Sequence, residues 1–264
     1  MKDYGLVSII TPSYNCSRFI GETIESIQAQ TYKHWELLIT DDCSTDDSIE
    51  IIRRYAETDD RIKLYCLSHN SGAGIARNNS IRQASGRYIA FCDSDDKWYP
   101  EKLYKQLAFM DNGGYTLTYT SYDTCDETGN ICGYVQCLSY ITYCRIVRDN
   151  GIGCLTAIYD ASKIGKQMMP AIRKRQDWCL WIRIIKDIGK AHGLQLPLAL
   201  YRVRKGSISS NKASMLKYNY DVYHRILGYG RITAALLLGG YFLPYYLYKK
   251  IKQKSDYKTR IKKL

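Results

Sequence analysis

The chain has no C-x-x-C pair, only four phenylalanines against 25 tyrosines, and no Gly-rich basic loop after its first apolar run. Each absence excludes something. Its densest cysteine cluster, Cys125, Cys132, Cys137 and Cys144, is too widely spaced for a zinc ribbon or finger. At 264 residues the chain is too long for a disulfide scaffold, and Met1 to Gly5 runs into the first strand without an apolar leader, so the ten cysteines are expected to be reduced, cytosolic thiols. Tyrosine in place of phenylalanine implies many rings with one wet edge. A hydrophobic share of 45% still supports a full core, as one large domain or one domain with an appendage.

Acidic residues are scarce toward the C-terminus. Beyond Asn211, 12 Lys and Arg face only Asp221 and Asp256, so ten of the net +12 charges lie there and residues 1–210 carry +2. A basic tail on a near-neutral body points to an anionic surface as the tail's own partner. Within the tail, Ile232 to Tyr248 is an uncharged run of 17 residues broken by Gly239-Gly240 and Pro244. That falls short of the roughly 20 residues of a spanning helix and predicts a segment lying in the membrane interface, with Lys249 to Lys263 at the cytoplasmic leaflet. The tail's aromatics form a block and do not alternate with Lys and Arg, which argues against nucleic acid as a partner.

In the first hundred residues, short β-rich runs alternate with helical periodicity. Strands are predicted at Leu6–Ile10, Trp35–Thr40, Ile62–Cys66 and Tyr88–Cys92, with Thr11 to Asn15 as a turn. Helices are predicted from an N-cap at Ser17 to Gln30, through Ile49 and Ile52 with Asp46 and Asp47 in the first turn, and through Ala76 to Ile81 with Gly86 as its C′ residue. This alternation makes an α/β, Rossmann-like, mostly parallel sheet flanked by helices, whose ligands bind beyond the carboxyl ends of the strands. Two acid clusters fall on that edge, Asp41-Asp42 and Asp93, Asp95 and Asp96. Three carboxylates this close repel one another, so a cation is expected among them.

Downstream, a helix from Pro100 ends at Gly113-Gly114, a strand covers Tyr115 to Tyr122, and Asp126 to Asn130 turns a hairpin. A helix over Ser139 to Arg148 and a strand at Leu155 to Tyr159 follow. Trp178, Trp181, Ile184, Ile185 and Ile188 define an amphipathic helix with Asp177 at its start, and Leu198 to Arg202 is the last strand.

Several motifs occur in order: Val7-Ser-Ile-Ile-Thr-Pro-Ser-Tyr-Asn15, Gln30-Thr31, Glu36 to Asp42 with Ser44-Thr-Asp46, Asn70-x-Gly72, Ala76-Arg-Asn78, Gly86-x-Tyr88 and Asp93-Ser-Asp-Asp-Lys-Trp98. Gln176-Asp-Trp178, Trp181, and Tyr201-Arg202 with Ser207 to Ser209 continue the series. Together they resemble glycosyltransferase family 2. The resemblance implies a GT-A fold over residues 1–210, with a nucleotide-binding half to about 112 and an acceptor-binding half from 113 to 210; the charge and apolar run of residues 211–264 set them apart as a helical, membrane-associating tail. It implies an inverting, Mn²⁺- or Mg²⁺-dependent transfer from a nucleotide diphosphate sugar, UDP favoured, to a lipid-linked or polysaccharide acceptor at the inner face of the cell membrane.

For individual residues, the resemblance implies that Thr11, Pro12, Tyr14, Asp42 and Arg77 contact the donor nucleotide, with Asp93 and Asp95 at its ribose. Asp95 or Asp96 would be the direct metal ligand, and Asp177 the general base that deprotonates the acceptor. Trp178 would line the acceptor site, and Arg202, Arg204 or Lys205 would meet phosphate. Two departures stand out: Gln176 occupies a position that is usually Glu, and no His lies near Arg204. A same-fold nucleotidyltransferase is the alternative enzyme, weakened by the missing phosphate loop; a basic nucleic-acid-binding protein is the alternative outside catalysis.

Overall fold

The computed structural model describes residues 2–204 and 212–261, and its organising feature is one ten-stranded sheet. Strand β1 (Val7–Ser13) is buried at all seven positions and is paired in parallel with β2 (Trp35–Asp41) on one side. Helix α1 (Ile20–Gln28) connects them, and α2 (Ser48–Thr58) leads to the edge strand β3 (Ile62–Cys66). Helix α3 (Ala73–Gln83) returns the chain to β4 (Tyr88–Phe91), parallel to β1 on its other side. The order β3-β2-β1-β4 is the expected doubly wound half.

Three local expectations change for physical reasons. The predicted turn at Thr11 starts later, because β1 continues through Pro12 to Ser13. The Cys92 N–H bonds the Ile10 carbonyl, so Pro12, two residues on, faces the side where β4 has already ended and its missing N–H costs no ladder bond. Ser17 is not the N-cap of α1, which starts at Ile20; the Ser17 N–H donates to Asp46 Oδ2. Gly86 is not a left-handed cap. It is required because a Cβ there would lie 2.7 Å from the Leu6 carbonyl and the Ser8 nitrogen.

The second half of the sheet is mixed, so the expectation of a mostly parallel sheet holds only for the first. After β5 (Lys97–Trp98) and α4 (Lys102–Gly113), which Gly114 closes at φ 63°, the long strand β6 (Leu117–Cys125) forms a hairpin with β7 (Ile131–Val135). The segment predicted as one helix from Ser139 divides into β8 (Tyr140–Thr142) and α5 (Tyr143–Arg148). Similarly, Cys154–Thr156 is a 3₁₀ turn, and the predicted strand narrows to β9 (Ile158–Asp160), which runs antiparallel between β4 and β6. Helices α6 (Ala161–Ile164) and α7 (Gln176–Ile188) precede β10 (Lys190–Arg202), a 13-residue strand parallel to β6 whose register shifts around Pro197. Gly193 and Pro197 hide its first half from sequence reading. A Cβ on Gly193 would meet the Leu138 carbonyl at 2.0 Å.

Beneath the sheet, Lys102 is fully buried, its ammonium donating to Gln106 Oε1 (2.6 Å) and the Thr156 carbonyl (3.2 Å). Burial lowers its pKa from 10.5 to about 7. The fold therefore binds fewer protons than the unfolded chain between these values, and stability rises with pH across that window. The destabilisation from the buried charge is complete below about 7 and gone above the ordinary lysine range. Lys102→Met is expected to gain most relative to wild type at pH 6 to 7, the advantage shrinking by roughly 1 kcal/mol per pH unit up to pH 10. Denaturant midpoints of both proteins across pH measure this; a difference flat in pH would show that Lys102 does not titrate in that range.

The tail is helical. Helix α8 (Lys212–Asp221) runs into a π-helical turn at Val222–Ile226; after a non-helical break at 227–230, α9 (Arg231–Leu236), a second π-helical stretch (Leu237–Phe242) and α10 (Leu243–Ile261) form one continuous helix. Gly239 and Gly240 sit in the widened π stretch and Pro244 in the first turn of α10, so none of them ends the helix. Val222, Tyr223, Ala234 and Phe242 join the main core, with Phe242 and Tyr223 rings 5.8 and 6.0 Å from Trp178. The other side leaves Ile232, Leu236, Leu247 and Ile251 exposed. Among the described residues, no helix is long and apolar enough to cross a membrane. None of the ten cysteines is paired.

Candidate functional site

The loops beyond β1, β2 and β4 open onto a cleft of about 930 Å³. Pro12, Tyr14, Asp42, Arg77 and the three acids Asp93, Asp95 and Asp96 line one part of it, and Asp177 and Arg204 line it as well. Residues far apart in sequence are thus brought to one space.

The loops after β1 and β2 are cross-linked before any ligand binds. Asp41 is wholly buried and accepts from Ser13 Oγ, Ser44 Oγ and the Ser44 N–H, so it braces the loop. Asn15 and Cys43, both at positive φ, make the tight reversals; Asn15 Oδ1 accepts the Thr45 N–H at 2.8 Å. Asp42 points its carboxylate at the next loop, where the Ser71 and Gly72 N–H groups bond Oδ1 and Oδ2 at 2.6 and 2.7 Å. Gly72 adopts φ 91° there, which accounts for the Asn70-x-Gly72 spacing. Each Asp42 oxygen keeps acceptor capacity for one more donor.

The acid cluster is held by arginines. Arg77 bonds Asp93 Oδ1 at 2.6 Å and reaches Gln176 Oε1 at 3.2 Å, linking α3 to the first residue of α7. Arg204 Nε lies 2.6 Å from Asp95 Oδ2. Burial, then the Asp93 charge, raises the Asp95 carboxyl pKa against the pull of Arg204. Asp96 is buried; burial, then the charges of Asp95 and Asp93, pushes its carboxyl well above the usual range. Its Oδ1 accepts the Arg202 N–H at 2.9 Å, while Oδ2 is buried with no partner. An orphaned oxygen among mutually repelling carboxylates is the environment a hard cation relieves, so the donor set fits a divalent metal. Among the described residues, no three His, Cys, Asp or Glu side chains are placed to hold a metal together.

At the start of α7, Arg175 is forced to φ 67°, a strained conformation immediately before Gln176 and Asp177. Asn150 Nδ2 donates to Asp177 Oδ2 at 2.8 Å. The backbone beside it is itself anchored: Lys249 Nζ on α10 bonds Asp149 Oδ2 (2.7 Å) and the Asn150 carbonyl (2.8 Å). Sequence reading missed Asn150, Asp149 and Lys249. Their only signal was polarity, and their partners lie up to a hundred residues away.

Three predicted site residues do not line the cleft. Thr11 is fully buried in β1. Trp178 is wholly enclosed and donates its Nε1–H to the Ile146 carbonyl, because its face of α7 packs on the tail and not on the cleft. The Arg202 side chain is 1% exposed and fully engaged by the Asp95 carbonyl, the Glu127 carbonyl and Glu22 Oε2, so it ties the acid loop to its surroundings and has no free face for phosphate. Lys205 and Ser207 to Ser209 lie outside the described residues.

A family model described as glycosyl transferase family 2 matches residues 8–162. The chain is 41% identical over 222 residues to a Bacillus subtilis (strain 168) protein named putative teichuronic acid biosynthesis glycosyltransferase TuaG, covering 84% of this chain and 88% of that protein. It is 37% identical over 261 residues to the Escherichia coli protein named UDP-Glc:alpha-D-GlcNAc-diphosphoundecaprenol beta-1,3-glucosyltransferase WfgD, covering 98% and 99% of the two. Among solved structures, S. aureus TarS 1–349 in complex with UDP-GlcNAc superposes with a TM-score of 0.71 at 23% identity, over 89% of this chain and 71% of that one. A likeness at that identity concerns the fold.

Proposed function

Because the chain belongs to glycosyl transferase family 2 and is a glycosyltransferase of the GT-A-like α/β type, we propose that it moves a sugar, with inversion, from a UDP-sugar to a hydroxyl of a lipid-diphosphate-linked glycan. One observation carries this reading: a single cleft holds Asp42 and the Asp93–Asp96 acids together with the carboxylate of Asp177. Near full-length similarity to a protein named for a diphosphoundecaprenol acceptor supports the acceptor class.

In this reading Asp42 and Tyr14 receive the base, and Arg77 fixes Asp93 beside the ribose. Asp95 and Asp96 would hold a divalent ion, which supplies positive charge to the departing diphosphate. Asp177 takes the proton from the acceptor hydroxyl as that oxygen bonds the anomeric carbon from the face opposite the leaving group. The anomeric C–O bond breaks and its electron pair leaves on the UDP oxygen. The basic tail with its exposed Ile232, Leu236, Leu247 and Ile251 would keep the enzyme peripheral on the inner membrane face.

The test is thermal unfolding with a panel of nucleotide diphosphates and sugar nucleotides, with Mn²⁺ or Mg²⁺. UDP ligands at a hundredfold excess over Kd should add about 2.7 kcal/mol of stability. Stabilisation by another nucleotide alone would overturn the donor assignment. Asn150→Ala, which frees the Asp177 carboxylate, is expected to lower kcat roughly tenfold to a hundredfold with UDP affinity unchanged. Steady-state kinetics beside calorimetry checks this, and an unchanged kcat would remove Asn150 from the catalytic arrangement.

A further inference from the structure

The cleft extends past Asp177 along a wall that the transfer chemistry does not use. One face of α10 forms it: Tyr245, Tyr246, Lys249, Lys250, Lys252 and Asp256 recur at helical spacing and all line the cleft. Facing the same space is the loop Arg173, Lys174 and Arg175 that leads into α7. Lys249 is committed to Asp149 and the Asn150 carbonyl, which ties this wall to the segment whose side chain holds Asp177. Arg175 Nε is committed to Asn219 Oδ1. Lys250 Nζ lies 5.7 Å from the centroid of Tyr246 and Lys174 Nζ 5.4 Å from that of Tyr218. With Asp149 paired to Lys249, Asp256 and Asp177 are the acids on this side, outnumbered by Arg173, Lys174, Arg175, Lys250 and Lys252.

We propose that Lys250 and Lys252 of α10, with Arg173 and Lys174, form a second anion subsite that binds the diphosphate of the acceptor, separate from the donor's diphosphate site. This rests on the lipid-linked acceptor reading and names the residues that recognise it. The placement fits an acceptor whose sugar hydroxyl reaches Asp177 while its diphosphate, one sugar ring away, meets the basic wall. A diphosphate diester is a dianion, and two short cationic rows from different elements complement it. The outward side of the same helix exposes Leu247 and Ile251, 62% and 72% accessible, where an apolar chain leaving the diphosphate finds apolar surface. The tail would then be part of the substrate site as well as a membrane contact.

The probe is farnesyl diphosphate, titrated calorimetrically into the full-length protein saturated with UDP and Mn²⁺. Wild type should bind it without displacing UDP. Lys250→Glu with Lys252→Glu, and separately Arg173→Ala with Lys174→Ala, should weaken binding about tenfold or more while UDP affinity and melting temperature hold. Wild-type affinity in both variants, or displacement of UDP by the probe, overturns the subsite. Sedimentation with phosphatidylglycerol vesicles separates the other source of phosphate: vesicle binding lost with probe binding intact would assign these lysines to the membrane and reject the proposal. Transfer assays keep the two readings apart. Failure of wild type to glycosylate a lipid-diphosphate sugar rejects the acceptor class, whereas normal wild-type transfer with unchanged KM in both variants rejects only the subsite.

Discussion

Asp177→Asn should lower kcat by about two to four orders of magnitude, the range a positioned general base contributes, while binding of UDP and its sugar conjugates stays at wild-type strength. The substitution is nearly isosteric, and its amide oxygen still accepts the Asn150 Nδ2–H that now reaches Asp177 at 2.8 Å. What is lost is the capacity to take a proton from the acceptor hydroxyl. Single-turnover kinetics beside calorimetry separates these quantities. A variant that transfers within a few-fold of wild type would show that another group removes the proton, and Asp149 and Asp256 are further acids that line the cleft. The contrast with Asn150→Ala is informative, since removing a positioning residue should cost less than removing the base itself.

Asp96→Asn should cost about a thousandfold in turnover and abolish metal-dependent stabilisation by UDP, yet leave the ligand-free protein as stable as wild type or more so. The two halves of this prediction have one cause. The Asp96 carboxyl is buried beside two other acids, with one oxygen accepting the Arg202 N–H and the other unpartnered. An amide keeps the first bond and removes the charge that burial and the neighbouring acids disfavour. Asp95→Ala should likewise lose metal-dependent nucleotide binding, though Arg204 then loses its carboxylate partner. Melting curves with and without UDP and Mn²⁺ measure both effects. A variant that melts much lower without ligand would mean the acids support the fold, and retention of the metal-dependent shift would remove Asp96 from the metal's ligand set.

The acids proposed to meet the donor and its metal were legible because they follow short apolar runs. β-branched strands followed by acid-rich loops mark both the strand and its carboxyl edge, so Asp42 and Asp93 to Asp96 are found without knowing what they face. The proposed acceptor side was only partly legible. Asp177 is visible as an acid at a helix start, but its support from Asn150 crosses 27 residues and the Arg77–Gln176 bond crosses 99. No local pattern encodes such pairs. That bond also bears on the missing glutamate at position 176: a neutral amide accepts from Arg77 without competing with Asp93 for its charge, and it packs where Gly74 leaves no room for a Cβ.

Hydrophobic periodicity and strand-end acids, both local properties, were sufficient by themselves to determine the doubly wound half, its carboxyl edge and the carboxylates along it. The tertiary structure alone decided what depends on distant partners: that Pro12 sits harmlessly inside β1 because β4 stops short, that Trp178 and Arg202 are enclosed, and that β10 begins at Lys190 despite Gly193 and Pro197. It also decided the fate of the tail. Its composition speaks only of apolar and basic character, whereas packing turns one side of it into the core around Trp178 and sets Lys249 against the segment that holds Asp177. Burial and hydrogen bonding are satisfied across the whole chain at once, so the side of a helix that faces the cleft is settled only when every other element is in place.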